Sequence, residues 1–299
     1  MEMRTFGDTG LEVTTLGYGA MALRRVDEAQ AERLLNQVLD YGINFIDTSP
    51  DYGHSEDMIG KFIADRRDEY FLATKCGCNV PREGGSDAPN HIWTGEQLRH
   101  NIEHSLRRLK TDYVDVWQIH SANPEDLKGT DVIETMEAIR DEGKVRHIAV
   151  SMAGSSKGYG YVQLRDYVDW DDFEAIQVWY SAAVRYSEVA ISKAAAKGWG
   201  TIIRGVVREP NDVTFDDVFE RADLDALRAS GESRTHFLIR FAISHPDLHT
   251  AIIGTRSLAH LATNVAAVDA GPLPEDVIGE ARRRLTDAGF TVGMEDDAE

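Results

Sequence analysis

Short apolar runs alternate with stretches of helical periodicity along most of the chain. The runs are TTLGYG (14–19), INFID (43–47), YFLATK (70–75), YVDVWQIH (113–120), VRHIAVS (145–151), FEAIQVWY (173–180), GTIIRG (200–205) and TAIIG (250–254). They are rich in β-branched and aromatic residues and are bounded by Gly, Pro or Asp, the pattern of parallel strands buried on both faces. Between them, segments such as 31–42, 96–110 and 131–144 carry apolar residues at three- and four-residue spacing, and several end near a glycine. Eight strands alternating with helices predict an α/β fold of the (β/α)8 TIM-barrel type over residues 1–299, as one domain. A β-hairpin around Asp8-Thr9-Gly10 is expected to precede the barrel, and an extra helix to follow it. The rival doubly wound sheet would open its first strand into G-x-G-x-x-G, whereas this run ends GYGAM. Residues 206–231 are acidic and turn-rich, which predicts a loop or short helices.

Polar residues gather at the C-terminal ends of these runs, where a barrel of this kind places its chemistry. Asp47 closes the second strand and Tyr52 follows it; Lys75 closes the third and His120 the fourth. Each has an ordinary use alone, but four complementary ionisable groups on three consecutive strand ends form a set. A lysine cation beside a tyrosine favours the phenolate and lowers its pKa from about 10, while an aspartate holds that lysine charged. A histidine alongside can orient a carbonyl oxygen or pass a proton. Such a set suits proton delivery to a carbonyl as hydride arrives at carbon.

INFIDTSPDYGHSE, FLATK, SLRRLKTDYVDVWQIH, GKVRHIAVS, FEAIQVWY and IIGTRSLAHLATN together resemble the aldo-keto reductase family, in family order from about residue 4 to about 270. The resemblance implies a barrel that binds a nicotinamide cofactor without a Rossmann domain. It also implies a catalytic tetrad of Asp47, Tyr52, Lys75 and His120, with Tyr52 as the acid in reduction. Ser151 and Gln177 would meet the nicotinamide carboxamide. Gly254, Thr255 and Arg256 would open the last barrel helix at a cofactor phosphate, with Arg256 favouring NADPH over NADH. His260 would lie near the adenine ribose and Asn264 at the adenine. Two positions depart from the family pattern. Met152 follows Ser151 where Asn is usual, and Arg204 stands where an aromatic often stacks on the nicotinamide.

Tyr18, Met21 and Trp93 are candidate substrate-mouth residues, since they are assigned to loops after the first and third strands. Asp51 is assigned to capping the helix that begins at Ser55-Glu56. The glycine- and proline-containing stretch 76–94 is expected to be mobile. The alternatives are a redox-sensing barrel that holds NADP(H) with slow turnover, and a barrel lyase or isomerase without nicotinamide.

The formal net charge of −19, with 24 Arg and only 8 Lys, argues against nucleic acid or anionic membrane as a partner. A small carbonyl or alcohol substrate is expected, and any phosphate must find a local basic spot. No apolar stretch reaches about 18 residues and the first residues carry no apolar signal region, so a cytoplasmic protein is expected. The cysteines are Cys76 and Cys78. Their spacing suits free thiols, and with His91 as the nearest further ligand it matches no familiar zinc pattern, so no metal is expected.

Overall fold

A computed structural model describes residues 1–81, 90–152, 167, 169–210 and 213–290. Strands β1 (Met3–Thr5) and β2 (Glu12–Thr14) pair antiparallel, with Met3 opposite Thr14 and Thr5 opposite Glu12. This is the expected hairpin, closed by a short 3-10 turn at Gly7–Thr9 and by Gly10 in the left-handed region.

The remaining strands are β3 (Leu16–Gly19), β4 (Phe45–Asp47), β5 (Phe71–Cys76), β6 (Val114–His120), β7 (Val145–Ser151), β8 (Ala175–Trp179), β9 (Gly200–Arg204) and β10 (Thr250–Ile252). They run parallel in chain order, and β10 pairs with β3 to close the barrel. Each apolar run of the sequence coincides with one of them, β5 running one residue past its run to Cys76. The protein is a (β/α)8 TIM barrel.

Because side chains alternate along a strand, residues two apart share a face, and the interior is layered. Phe45, Ala73, Val116, Ala149, Ala175, Ile202 and Ile252 form a floor with Phe6, Leu11 and Val13 of the hairpin. Two residues further along these strands stand Asp47, Lys75, Gln118, Ser151, Gln177 and Arg204. The hairpin therefore plugs one end with apolar rings, and the polar layer is left to the other end.

The helices follow the periodicity with shifted ends. The segment expected at 31–42 is helical over Glu28–Asp40, begun by the Asp27 carboxylate accepting from the Gln30 N–H. The segment 96–110 is helical over Gly95–Leu109, capped by Thr94 and closed by Lys110 in the left-handed region rather than by a glycine. Residues 206–231 contain a helix at Phe215–Arg221 and a 3-10 turn at Leu224–Leu227, and the extra helix is Glu275–Asp287. No helix of the described residues is long and apolar enough to cross a membrane.

The helix Ser55–Phe62 packs against Gly95–Leu109 at its closest approach through Gly60, where a Cβ would stand 2.1 Å from the Arg108 carbonyl oxygen. Gly60→Ala must force the helices apart. It is expected to destabilise the protein by about 1–3 kcal/mol, the usual range for overpacking, read as a lowered thermal unfolding midpoint.

Candidate active site

The polar layer is organised around Asp47. Lys75 is fully buried, and its ammonium donates to Asp47 Oδ1 at 2.9 Å, Asp47 Oδ2 at 2.7 Å and the Thr48 carbonyl at 2.7 Å. All three ammonium hydrogens have acceptors. Gln118 Nε2 and Gln177 Nε2 also donate to Asp47 Oδ1, at 2.8 and 2.7 Å, and Ser151 Oγ donates to Gln177 Oε1 at 3.1 Å. Burial alone would lower the Lys75 pKa, but Asp47, with Tyr52 and Asp51 behind it, outweighs burial, and the value is raised.

The half-buried Tyr52 presents its ring 5.0 Å from the Lys75 ammonium and edge-on to His120, with centroids 6.3 Å apart. Lys75 pulls the Tyr52 pKa down, as expected, yet burial outweighs it and the net value is raised. That reverses the sequence expectation, because desolvation depends on packing that a linear pattern does not show. Burial, with Lys75, His91 and Arg204 nearby, pushes His120 well below the usual histidine value.

Arg108, overlooked in the sequence reading, holds the Tyr52 loop in place. Its guanidinium donates to the carbonyls of Pro50 and Gly53 and pairs with Glu56 and Asp57. The fully buried Glu56 also accepts from Thr74 at 2.8 Å, which ties this loop to β5. Asp51 does not cap the following helix. His54 occupies the N-cap position without a side-chain hydrogen bond, while the Asp51 carboxylate accepts from Ser49 Oγ at 2.5 Å and lies 3.6 Å from His120 Nδ1. Cys78 Sγ and His91 Nε2 face the same His120 nitrogen at 3.3 and 3.2 Å. Spacing could not show this grouping, because its members come from the loops after β4 and β5 and from the end of β6.

A cavity of about 630 Å³ runs from Asp47, Tyr52 and Gln177 to Ile253, Gly254 and Arg256. Five arginines line it: Arg24, Arg25, Arg204, Arg208 and Arg256. Among the described residues none of the five pairs with a carboxylate, so this strongly acidic chain keeps a cluster of unpaired cations in the cleft. Only Arg204 and Arg256 were singled out from sequence; Arg24, Arg25 and Arg208 sit in loops or turns without a periodic signal.

Gly254 is set by close approach, since a Cβ there would meet the Gly19 carbonyl oxygen at 2.6 Å. The last barrel helix, Leu258–Asp269, begins after Ser257, whose hydroxyl accepts from the His260 N–H. Gly254, Thr255 and Arg256 therefore form the approach to the helix rather than its first turn. Gly254, Arg256 and His260 are exposed, whereas Thr255 and Asn264 are buried.

The two departures from the family pattern are one feature. Arg204 Nη2 donates to the Met152 carbonyl at 2.7 Å, and its guanidinium lies 5.5 Å from the Trp179 ring centroid. Of the proposed mouth residues, Met21 lines the cavity. Tyr18 does not: it is fully buried, with its hydroxyl donating to the Thr255 carbonyl at 2.9 Å. Trp93 also lies outside the lining and instead donates to the His120 carbonyl at 3.1 Å. Residues 77–79 bridge to 90–92 by backbone hydrogen bonds, so the described part of the loop expected to be mobile is paired, and 82–89 lie outside the described residues.

The profile of the Aldo/keto reductase family matches residues 15–210, well over half of the chain. The chain belongs to that family. The aldo-keto reductase YhdN of Bacillus subtilis is 27% identical, with 87% of each chain covered. L-galactose dehydrogenase of Arabidopsis thaliana is 27% identical, with 90% of this chain and 88% of that protein covered. In structure, the holo form of the aldo-keto reductase AKR11C1 from Bacillus halodurans superposes with a TM-score of 0.82 at 26% identity, covering 100% of this chain and 99% of that one. The protein is an oxidoreductase of a family that generally uses nicotinamide cofactors on small carbonyl substrates.

The buried histidines set a pH dependence of stability. The unfolded chain takes up the His120 proton near 6.5, while the folded protein resists it until much lower pH. His91, His104, His245 and His249, the last lowered to about 4, act in the same direction. Their contribution is complete above about 6.5 and is lost as pH falls through that value toward the folded ones. The urea midpoint should decline with acidification across this window, and less steeply in His120→Gln.

Proposed function

We propose that this enzyme reduces an aldehyde or ketone to the alcohol, reversibly, with NADPH as hydride donor and Tyr52 as proton donor. The observation that carries the reading is the single cleft that joins Tyr52 and the Lys75–Asp47 pair to unpaired arginines. The cofactor supplies hydride at one face of the carbonyl carbon when bound. The residues present fit it. Gln177, fixed between Asp47 and Ser151, retains an amide hydrogen for a carboxamide oxygen. Gly254 lets the backbone close against Gly19 at the cavity wall, and the following helix begins at Ser257, an N-terminus of the kind that suits a phosphate. Arg256, whose guanidinium has no acid partner among the described residues, is suited to a 2′-phosphate. Thr255, His260 and Asn264 complete the adenosine end in this reading.

At the reacting end, the raised Tyr52 pKa keeps the phenol protonated in the resting enzyme, the state a general acid needs. Lys75 has filled its donor positions, so it acts on Tyr52 through its field: positive charge 5.0 Å from the ring stabilises the phenolate as the proton leaves. His120, neutral near pH 7, can donate a hydrogen bond to the carbonyl oxygen without adding charge. Arg204 adds a second cation facing Tyr52. Met21 lines the mouth and contributes to substrate fit.

NADPH consumption with a panel of aldehydes tests the acid. Tyr52→Phe is expected to lose about 10²–10⁴-fold in kcat with cofactor affinity retained; wild-type rates in the variant would remove Tyr52 from this role. Separately, Arg256→Ala should weaken NADPH binding by about 10–100-fold while leaving NADH nearly unchanged. An equal loss for both cofactors would assign Arg256 to the shared pyrophosphate instead.

A further inference from the structure

We propose that Cys78, His91, His120 and Asp51 form a site for one zinc-class divalent cation at the barrel mouth. The inference does not rest on the cofactor reading: its observations are the positions of four side chains, one of which, His120, also serves the proposed reduction. His120 Nδ1 lies 3.3 Å from Cys78 Sγ, 3.2 Å from His91 Nε2 and 3.6 Å from Asp51 Oδ2, and all four atoms fall within 4.8 Å of one another. A tetrahedral ion with bonds of about 2.0–2.3 Å holds its ligand atoms roughly 3.3–3.6 Å apart, so the three edges at His120 are already near their bound lengths. One thiolate, one carboxylate and two neutral imidazoles exactly offset a double positive charge, which removes most of the cost of placing an ion there. Sulfur with imidazole selects zinc over magnesium or calcium.

The surroundings pre-orient the ligands. Ser49 Oγ occupies Asp51 Oδ1 and leaves Oδ2 facing the histidine. The His91 ring stacks on Trp93 with an interplanar angle of 6°, and Trp93 Nε1 in turn holds the His120 carbonyl. Cys78 and His91 face each other across an antiparallel bridge, so one rigid hairpin base presents both. The Asp51 side chain is 31% exposed, which leaves a route for entry from solvent. Binding replaces the Cys78 thiol proton, released to solvent, by a metal–sulfur bond; nothing is oxidised or reduced. An ion on Nδ1 also leaves His120 with its N–H at Nε2, a single tautomer. The ion would staple the loops after β4 and β5 to the end of β6.

The test uses the full chain, reduced and stripped with chelator, then titrated with Co²⁺ and separately with Zn²⁺. The expected result is one equivalent bound, a thiolate-to-cobalt charge-transfer band, and an unfolding midpoint raised by Zn²⁺. Cys78→Ser should abolish the band, and His91→Ala should weaken binding by about 10–100-fold or more. His54→Ala, an exposed histidine nearby, should change neither. Circular dichroism identifies any variant that fails to fold, and His91→Gln then replaces His91→Ala. Absence of the band in the native protein, or binding unchanged in both the Cys78 and His91 variants, would overturn the site.

Discussion

The Lys75–Asp47 pair places two opposite charges at the floor of the cleft, with side-chain exposures of 0% and 3%. Removing either partner would strand the other, a loss of about 3–5 kcal/mol in comparable sites. Gln118 and Gln177 crowd onto the same Asp47 oxygen, so strands β6 and β8 are aligned to β4 through that atom. Ser151 extends the network to β7. The ion pair is thus both the source of the field on Tyr52 and the knot that registers the top of the barrel.

How much of this the sequence discloses depends on whether a property is local. Buried parallel strands such as IAVS and IQVW are nearly continuous apolar runs, so the barrel and its order are legible. The residues Asp47, Lys75 and His120 are legible too, as polar interruptions at the ends of those runs. The raised Tyr52 pKa is not, because it is set by how far the phenol is desolvated. Nor is the role of Arg108, whose partners at residues 50–57 are met only when two helices pack. Tyr18 shows the opposite error: a residue at a strand end can point into the wall, and its hydroxyl is spent on the Thr255 backbone.

Arg204 and Met152 show why departures from a family pattern are better considered in pairs. Singly, Met152 stands where the family pattern has an amide side chain, and Arg204 places a cation where a ring is usual. Together they form one contact, the guanidinium holding the Met152 carbonyl while facing Tyr52. The guanidinium thereby ties the end of β9 to the chain just after β7, and its charge pulls the Tyr52 pKa down.

The hairpin plug carries a consequence for assembly. Phe6 fits against Gly200, where a Cβ would stand 2.3 Å from its ring, and the Asp8 N–H donates to the Gly198 carbonyl at 2.7 Å. The hairpin segment is therefore seated by residues that follow it by some two hundred positions. Until β9 emerges, Phe6, Leu11 and Val13 have no finished floor to cover, and the loop that must close is long. The N-terminal residues act as the final stopper of a vessel whose walls are built after them.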